Sequence, residues 1–124
     1  MNDYLFKLLC NVSHSSKSRV VIRAYESERR SDSHTYIDIE VRFQGSVIFP
    51  KGNLYVGIPN GTTIDGIYAK DAVLACVAMR PGDTDPDYFD DYTPAQLSFA
   101  TTYGEELSLI REYRYCDPET GFVR

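Results

Sequence analysis

Between His34 and Phe43 the chain reads "HTYIDIEVRF": Tyr36, Asp38, Glu40 and Arg42 alternate with Ile37, Ile39, Val41 and Phe43. A period of two sends these two sets to opposite faces of an extended chain, one polar and one apolar. A β-strand half-buried against a core is the structure that satisfies this pattern. The first half of the chain is thereby committed to a sheet.

Its neighbours fit the same sheet. "SRVVIRAYES" alternates through Val20, Ile22 and Ala24. "DYLFKLLCNV" suits a strand or a short helix, and a strand paired with residues 19–25 through the "SHSSKS" loop is the favoured reading. "QGS" supplies turn chemistry after Phe43, and "SVIFP" can return as the next strand. Pro50, Lys51, Gly52 and Asn53 read as a second turn, followed by "LYVGIP" as a further strand. "ESERRSDSH", residues 26–34, reads as a polar and mobile loop.

Beyond Pro59 the period changes. "AKDAVLACVAM" predicts a helix near residues 69–79, with Val73, Cys76 and Val77 on one stripe. Cys76 is expected to be buried there as a small, reduced apolar side chain. Thr93 is followed by Pro94 and, three positions on, by Gln96, which combines an N-cap, an N1 proline and a capping box. Leu97, Ala100, Tyr103, Leu107, Ile110 and Tyr113 then recur at helical spacing, predicting a helix over 94–115 that Pro118 and Gly121 end. Strands first and helices afterwards mean a single α+β domain over residues 1–124. Its expected architecture is an antiparallel meander from the N-terminal half packed against C-terminal helices.

Charge narrows the partners. Residues 1–50 hold seven Lys/Arg and six Asp/Glu, whereas residues 51–124 hold six and twelve. The net charge of −5 argues against direct nucleic-acid binding and against anionic membranes. No apolar run approaches the ~18 residues of a membrane span. "MNDYLFKLLCNV" lacks the basic start and long apolar run of a secretory leader, so a cytoplasmic protein with reduced thiols is expected.

Catalytic and metal signatures are weak. Cys10, Cys76 and Cys116 form no C-x-x-C pair, and Cys10 with His14 supplies at most two zinc ligands. Asp83, Asp85 and Asp87 imitate the start of a calcium loop, but Tyr88 stands where glycine is needed and Pro94 where glutamate is needed. "GIPNGTTIDG" has neither phosphate-loop order. Glu105, Glu106, Arg111 and Arg114 read as a solvated helix face. No enzyme, metal or cofactor is expected.

One stretch remains to be explained. "DTDPDYFDDY" places Asp83, Asp85, Asp87, Asp90 and Asp91 around Tyr88, Phe89 and Tyr92, between two helical segments. A loop that serves solubility alone has no use for three rings. Rings among carboxylates suit a recognition surface for a basic protein partner, including a nucleic-acid-binding enzyme, because carboxylates can stand in for phosphates. The rings folding back onto the helices is the structural alternative. The expected function is a small acidic protein that inhibits or regulates such a partner, in the manner of an immunity or phage anti-defence protein. Two other readings stay open: a small-molecule or nucleotide domain with a pocket between sheet and helices, and a structural component of a phage or larger complex. A homo-oligomer is compatible with each.

Overall fold

A computed structural model of the protein describes residues 4–12, 19–78, 92–108 and 114–116. Four strands form the expected antiparallel meander: β1 (Tyr4–Asn11), β2 (Arg19–Arg30), β3 (His34–Phe43) and β4 (Ser46–Pro59). Two helices follow, α1 (Ile67–Val77) and α2 (Pro94–Ser108), and then a short strand β5 (Arg114–Cys116). The sheet order is β4-β3-β2-β1-β5. This is an α+β fold with both helices on one face of the sheet.

The alternating positions explain the register. Phe6 faces Ala24 and Leu8 faces Ile22 across β1 and β2, while Ile22 faces Val41 and Ala24 faces Ile39 across β2 and β3. All of these side chains are fully buried, together with Ile37, Ile58, Ala69 and Val73. A slip of one residue would send every one of them to the opposite face, so the pairing is strongly specified. The β3–β4 turn holds Gln44 at φ 53° and Gly45 at φ 83°. Positive φ at both central residues suits a two-residue hairpin turn, with Gln44 carrying a strain that Gly45 avoids.

Four expectations need correction. Residues 50–53 do not reverse the chain. Ile39 pairs with Leu54 and Val41 with Phe49, so Glu40 alone faces all four of these residues and β4 continues as one strand with a bulge. Gly52, at φ +93°, absorbs the bend. The turn-forming residues bulge the strand because both of its halves pair with the same straight partner, β3.

Most of residues 26–34 is strand rather than loop, and only residues 31–33 form the hairpin tip. β2 runs on to Arg30 past another bulge, since Glu26 pairs with Ile37 and Arg30 with Thr35. Asn60 ties the tip down: its side-chain amide donates to the Asp32 carbonyl at 3.0 Å, and its backbone N–H donates to the Ser33 carbonyl at 2.9 Å.

The second helix is described as far as Ser108 and does not run to 115, because residues 114–116 pair with β1 through Lys7↔Cys116, Leu8↔Tyr115 and Leu9↔Arg114. Arg114 is therefore no helical partner of Glu106. A free edge of β1 offers backbone groups that a longer helix would leave unpaired. Ile110 and Tyr113, from the expected stripe, lie outside the described residues.

The helix stripe keeps Ala100, Tyr103 and Leu107 on the core side but departs from the expected one at its start. Gln96, Phe99, Ala100 and Leu107 are buried, whereas Leu97 is 40% exposed. The cause is the N-cap. Thr93 donates its N–H to Gln96 Oε1 at 3.0 Å and accepts from the Gln96 N–H at 3.2 Å through Oγ1. Gln96 Nε2 also donates to the Ile48 carbonyl at 3.0 Å, which turns Gln96 toward the sheet.

Candidate functional site

Of the expected recognition residues, Asp83, Asp85, Asp87, Tyr88, Phe89, Asp90 and Asp91 lie outside the described residues. Tyr92 is described, and it is half-buried. Its ring meets Phe49 edge-on, with centroids 5.3 Å apart. Phe49 continues this aromatic seam to Phe99 at 6.3 Å, and Phe43 packs against Phe99 at 5.6 Å and Tyr103 at 4.8 Å. Edge-on pairs of this kind contribute roughly 0.5–1.5 kcal/mol each beyond area burial. Tyr92 and the Thr93–Gln96 capping box thus root the C-terminal end of the acidic stretch in the seam between β4 and α2.

Two cysteine side chains, those of Cys10 and Cys76, are described. Cys10 is buried, and Cys76 is a half-buried free thiol. The expected full burial of Cys76 is corrected here: Ala69, Val73 and Val77 face the core, and Cys76 stands on the flank of α1 beside the edge strand. Its Sγ lies 3.8 Å from the Tyr55 carbonyl as a weak donor. Burial pushes its pKa up from an ordinary 9.0 to about 11, so the thiolate is suppressed at neutral pH. His14 lies outside the described residues, and His34 Nδ1 is hydrogen-bonded to Ser33 Oγ at 2.7 Å. Among the described residues no group of three or more His, Cys, Asp or Glu side chains converges on a metal-sized site. Nor is any described helix long and apolar enough to cross a membrane.

A second site lies on the sheet face opposite the helices, and sequence reasoning missed it. Tyr25, Asp38 and Tyr55 stand directly across from one another on β2, β3 and β4. The Arg29 guanidinium lies 4.1 Å from the centroid of the Tyr55 ring, and the Lys51 ammonium lies 4.4 Å from that of Tyr25. Tyr36 meets Tyr55 edge-on at 6.1 Å and fits because its cross-strand partner is Gly57. A Cβ added there would stand 3.0 Å from Tyr36 Cε1.

Both cations come from bulges, Arg29 from that of β2 and Lys51 from that of β4. An open cavity of about 410 Å³ between them is lined by Glu26, Ser27, Glu28, Arg29, Asp38 and Lys51. Asp38 Oδ1 is buried without a hydrogen-bond partner. Farther along the same face, Glu40 accepts from Arg42 Nε at 2.9 Å and Arg23 at 3.4 Å, a partly solvated cluster of modest worth. The alternation at residues 36–42 marked Asp38 as outward-facing. The convergence of two bulges on it was not legible, because a bulge has no fixed sequence period.

The core between sheet and helices is filled by side chains such as Phe6, Leu8, Ile22, Ile39, Val73 and Leu107, each at most 1% exposed. The cavity beside Asp38 lies on the opposite face of the sheet. Set against known proteins, the chain matches no family model, no curated protein and no solved structure.

Proposed function

We propose that this protein is a small, non-catalytic binding protein that inhibits or regulates a basic partner through the acidic, aromatic stretch at residues 83–92. The partner's chemistry is that of a nucleic-acid-binding protein or nuclease, the class that immunity and phage anti-defence proteins neutralise. The observation that carries this reading is the rooted end of the stretch. Tyr92 packs on Phe49 at 5.3 Å, and Gln96 ties the following helix to β4. A segment held at a rigid seam loses less conformational freedom on binding than a free tail. Five aspartates with three aromatics in ten residues supply both steering charge and anchor area.

The test is a kinetic binding measurement on a partner captured from lysate. Replacing Asp83, Asp85, Asp87, Asp90 and Asp91 with asparagine should slow association by about tenfold or more at low salt while leaving the circular dichroism unchanged. Equal association rates for the two proteins at low salt would sink the proposal.

A small-molecule function is the second reading, and the open cavity beside Asp38 favours it. Assembly into a phage or other large particle remains a third.

A further inference from the structure

We infer that Asn60, together with Gly61, is a spontaneous modification site, where deamidation to aspartate or isoaspartate releases the hairpin tip at residues 31–33. This inference is independent of the acidic stretch at 83–92 and stands or fails without it. The dipeptide Asn-Gly occurs once in the chain; the other asparagines precede Asp3, Val12 and Leu54. Glycine leaves the following backbone nitrogen with no side chain to shield it. At Gly61 the backbone also takes φ +93°, a conformation that other residues rarely adopt. Both residues are exposed, so water reaches them. Among the described residues, none accepts a hydrogen bond from the Gly61 N–H. The Asp65-Gly66 pair in the same loop differs, because the Gly66 N–H donates to the Thr63 carbonyl at 3.1 Å.

Water is the only co-reactant. The Gly61 nitrogen attacks Cγ of Asn60, the Cγ–Nδ2 bond breaks, and ammonia leaves with the proton of the Gly61 amide. The resulting succinimide ring joins that nitrogen to both carbonyl carbons of residue 60. Hydrolysis at Cγ gives aspartate. Hydrolysis at the backbone carbonyl gives isoaspartate, whose main chain runs through Cγ. Nothing is oxidised or reduced.

The amide that is lost is the one that ties the tip. Asn60 Nδ2 donates to the Asp32 carbonyl at 3.0 Å, and Oδ1 accepts from Thr35 Oγ1 at 2.8 Å. These two bonds hold the side chain toward the tip and away from its own backbone, so conversion waits on local opening. After conversion the tip cannot close as before. An ionised carboxylate has no donor to offer, and it meets the Asp32 carbonyl where an N–H stood. The chain, already at −5, gains a further negative charge there. Since the product does not revert, the state of residue 60 records how long the tip has stood open.

The test incubates the whole protein at mildly alkaline pH and follows each asparagine by tandem mass spectrometry. Asn60 should convert to a mixture of aspartate and isoaspartate while Asn11 and Asn53 stay amides. Unfolding in urea should speed the conversion, because the bonds to Asp32 and Thr35 are then gone. In the folded protein Thr35→Ala should raise the rate about fivefold, the worth of one hydrogen bond, and Thr35→Ser should match the parent. All three proteins should react alike in urea, and circular dichroism checks that each is folded without it. In Asn60→Asp, hydrogen exchange at the amides of His34 and residue 60 should quicken about fivefold. An Asn60 that remains an amide as long as Asn53 does would overturn the inference. So would a Thr35→Ala rate at or below the parent's in the folded protein, or unchanged exchange in Asn60→Asp.

Discussion

Gln96 donates its side-chain amide to the carbonyl of Ile48 at 3.0 Å, and so joins the first turn of α2 to a bulge in β4. Ile48 is the extra residue where Val41 pairs with Phe49 and Arg42 with Val47, so its carbonyl lies outside the regular ladder. Gln96 also closes the capping box with Thr93, and one buried side chain thereby serves both the helix end and the sheet edge.

Gln96→Ala should therefore cost more than loss of an ordinary cap. It strips partners from the Thr93 N–H and the Ile48 carbonyl, and roughly 2–4 kcal/mol of stability should be lost. Thr93→Ala should cost about 1 kcal/mol. Urea unfolding of both variants measures the difference. Equal losses would show that the Ile48 bond contributes nothing.

Tyr92→Ala should lower stability in the absence of any partner, by roughly 1–2 kcal/mol, because the ring packs on Phe49. A melting temperature identical to that of the parent would place the ring outside the fold. With a partner in hand, its binding data need correction for this loss before Tyr92 is counted as a contact.

Gly57→Val should be destabilising by roughly 1–3 kcal/mol, since a side chain there meets Tyr36 Cε1 at 3.0 Å. The backbone at Gly57 has no positive φ, so the collision with the ring is the cause. Tyr36→Ala should recover part of the loss. A double-mutant cycle by thermal unfolding checks this coupling, and strict additivity would refute it.

Alkaline stability should depend on Cys76. Its folded pKa, about 11, lies above the ordinary 9.0 of an unfolded thiol. The contribution of the protonated thiol is complete below about pH 9 and is lost as the pH rises through about 11. The loss across that window is on the order of 2 kcal/mol. Cys76→Ala should remove this step from a stability–pH profile, and alkylation of the parent at pH 8 should be slow. A profile unchanged by the substitution would show that the thiol's burial has no energetic consequence.

The hairpin tip at residues 31–33 shows how far polarity alone can mislead. A run of Ser, Asp, Glu and Arg reads as a loop because its side chains have no apolar face to bury. The tip is tied instead to Asn60, 28 positions beyond Asp32, which donates its side-chain amide and its backbone N–H to the carbonyls of Asp32 and Ser33. That pairing depends on where β4 ends, and no local window contains both partners.

The sequence alone determined the elements whose periodicity is long and regular. Strands at Val20–Ile22–Ala24 and Ile37–Ile39–Val41, the capping box at Thr93–Gln96 and the strand-then-helix order all follow from local spacing, because burial of one face dictates that spacing. The tertiary structure decided where regularity breaks. It turned residues 50–53 into a bulge, placed residues 114–116 in the sheet, rotated Leu97 out of the core and brought Arg29 and Lys51 to either side of Asp38. Each of these outcomes depends on a partner distant in the chain: β3 for the bulge, β1 for β5, Ile48 for the turn of α2. Backbone pairing and side-chain packing between remote segments set them, and such terms have no period for a single segment to display.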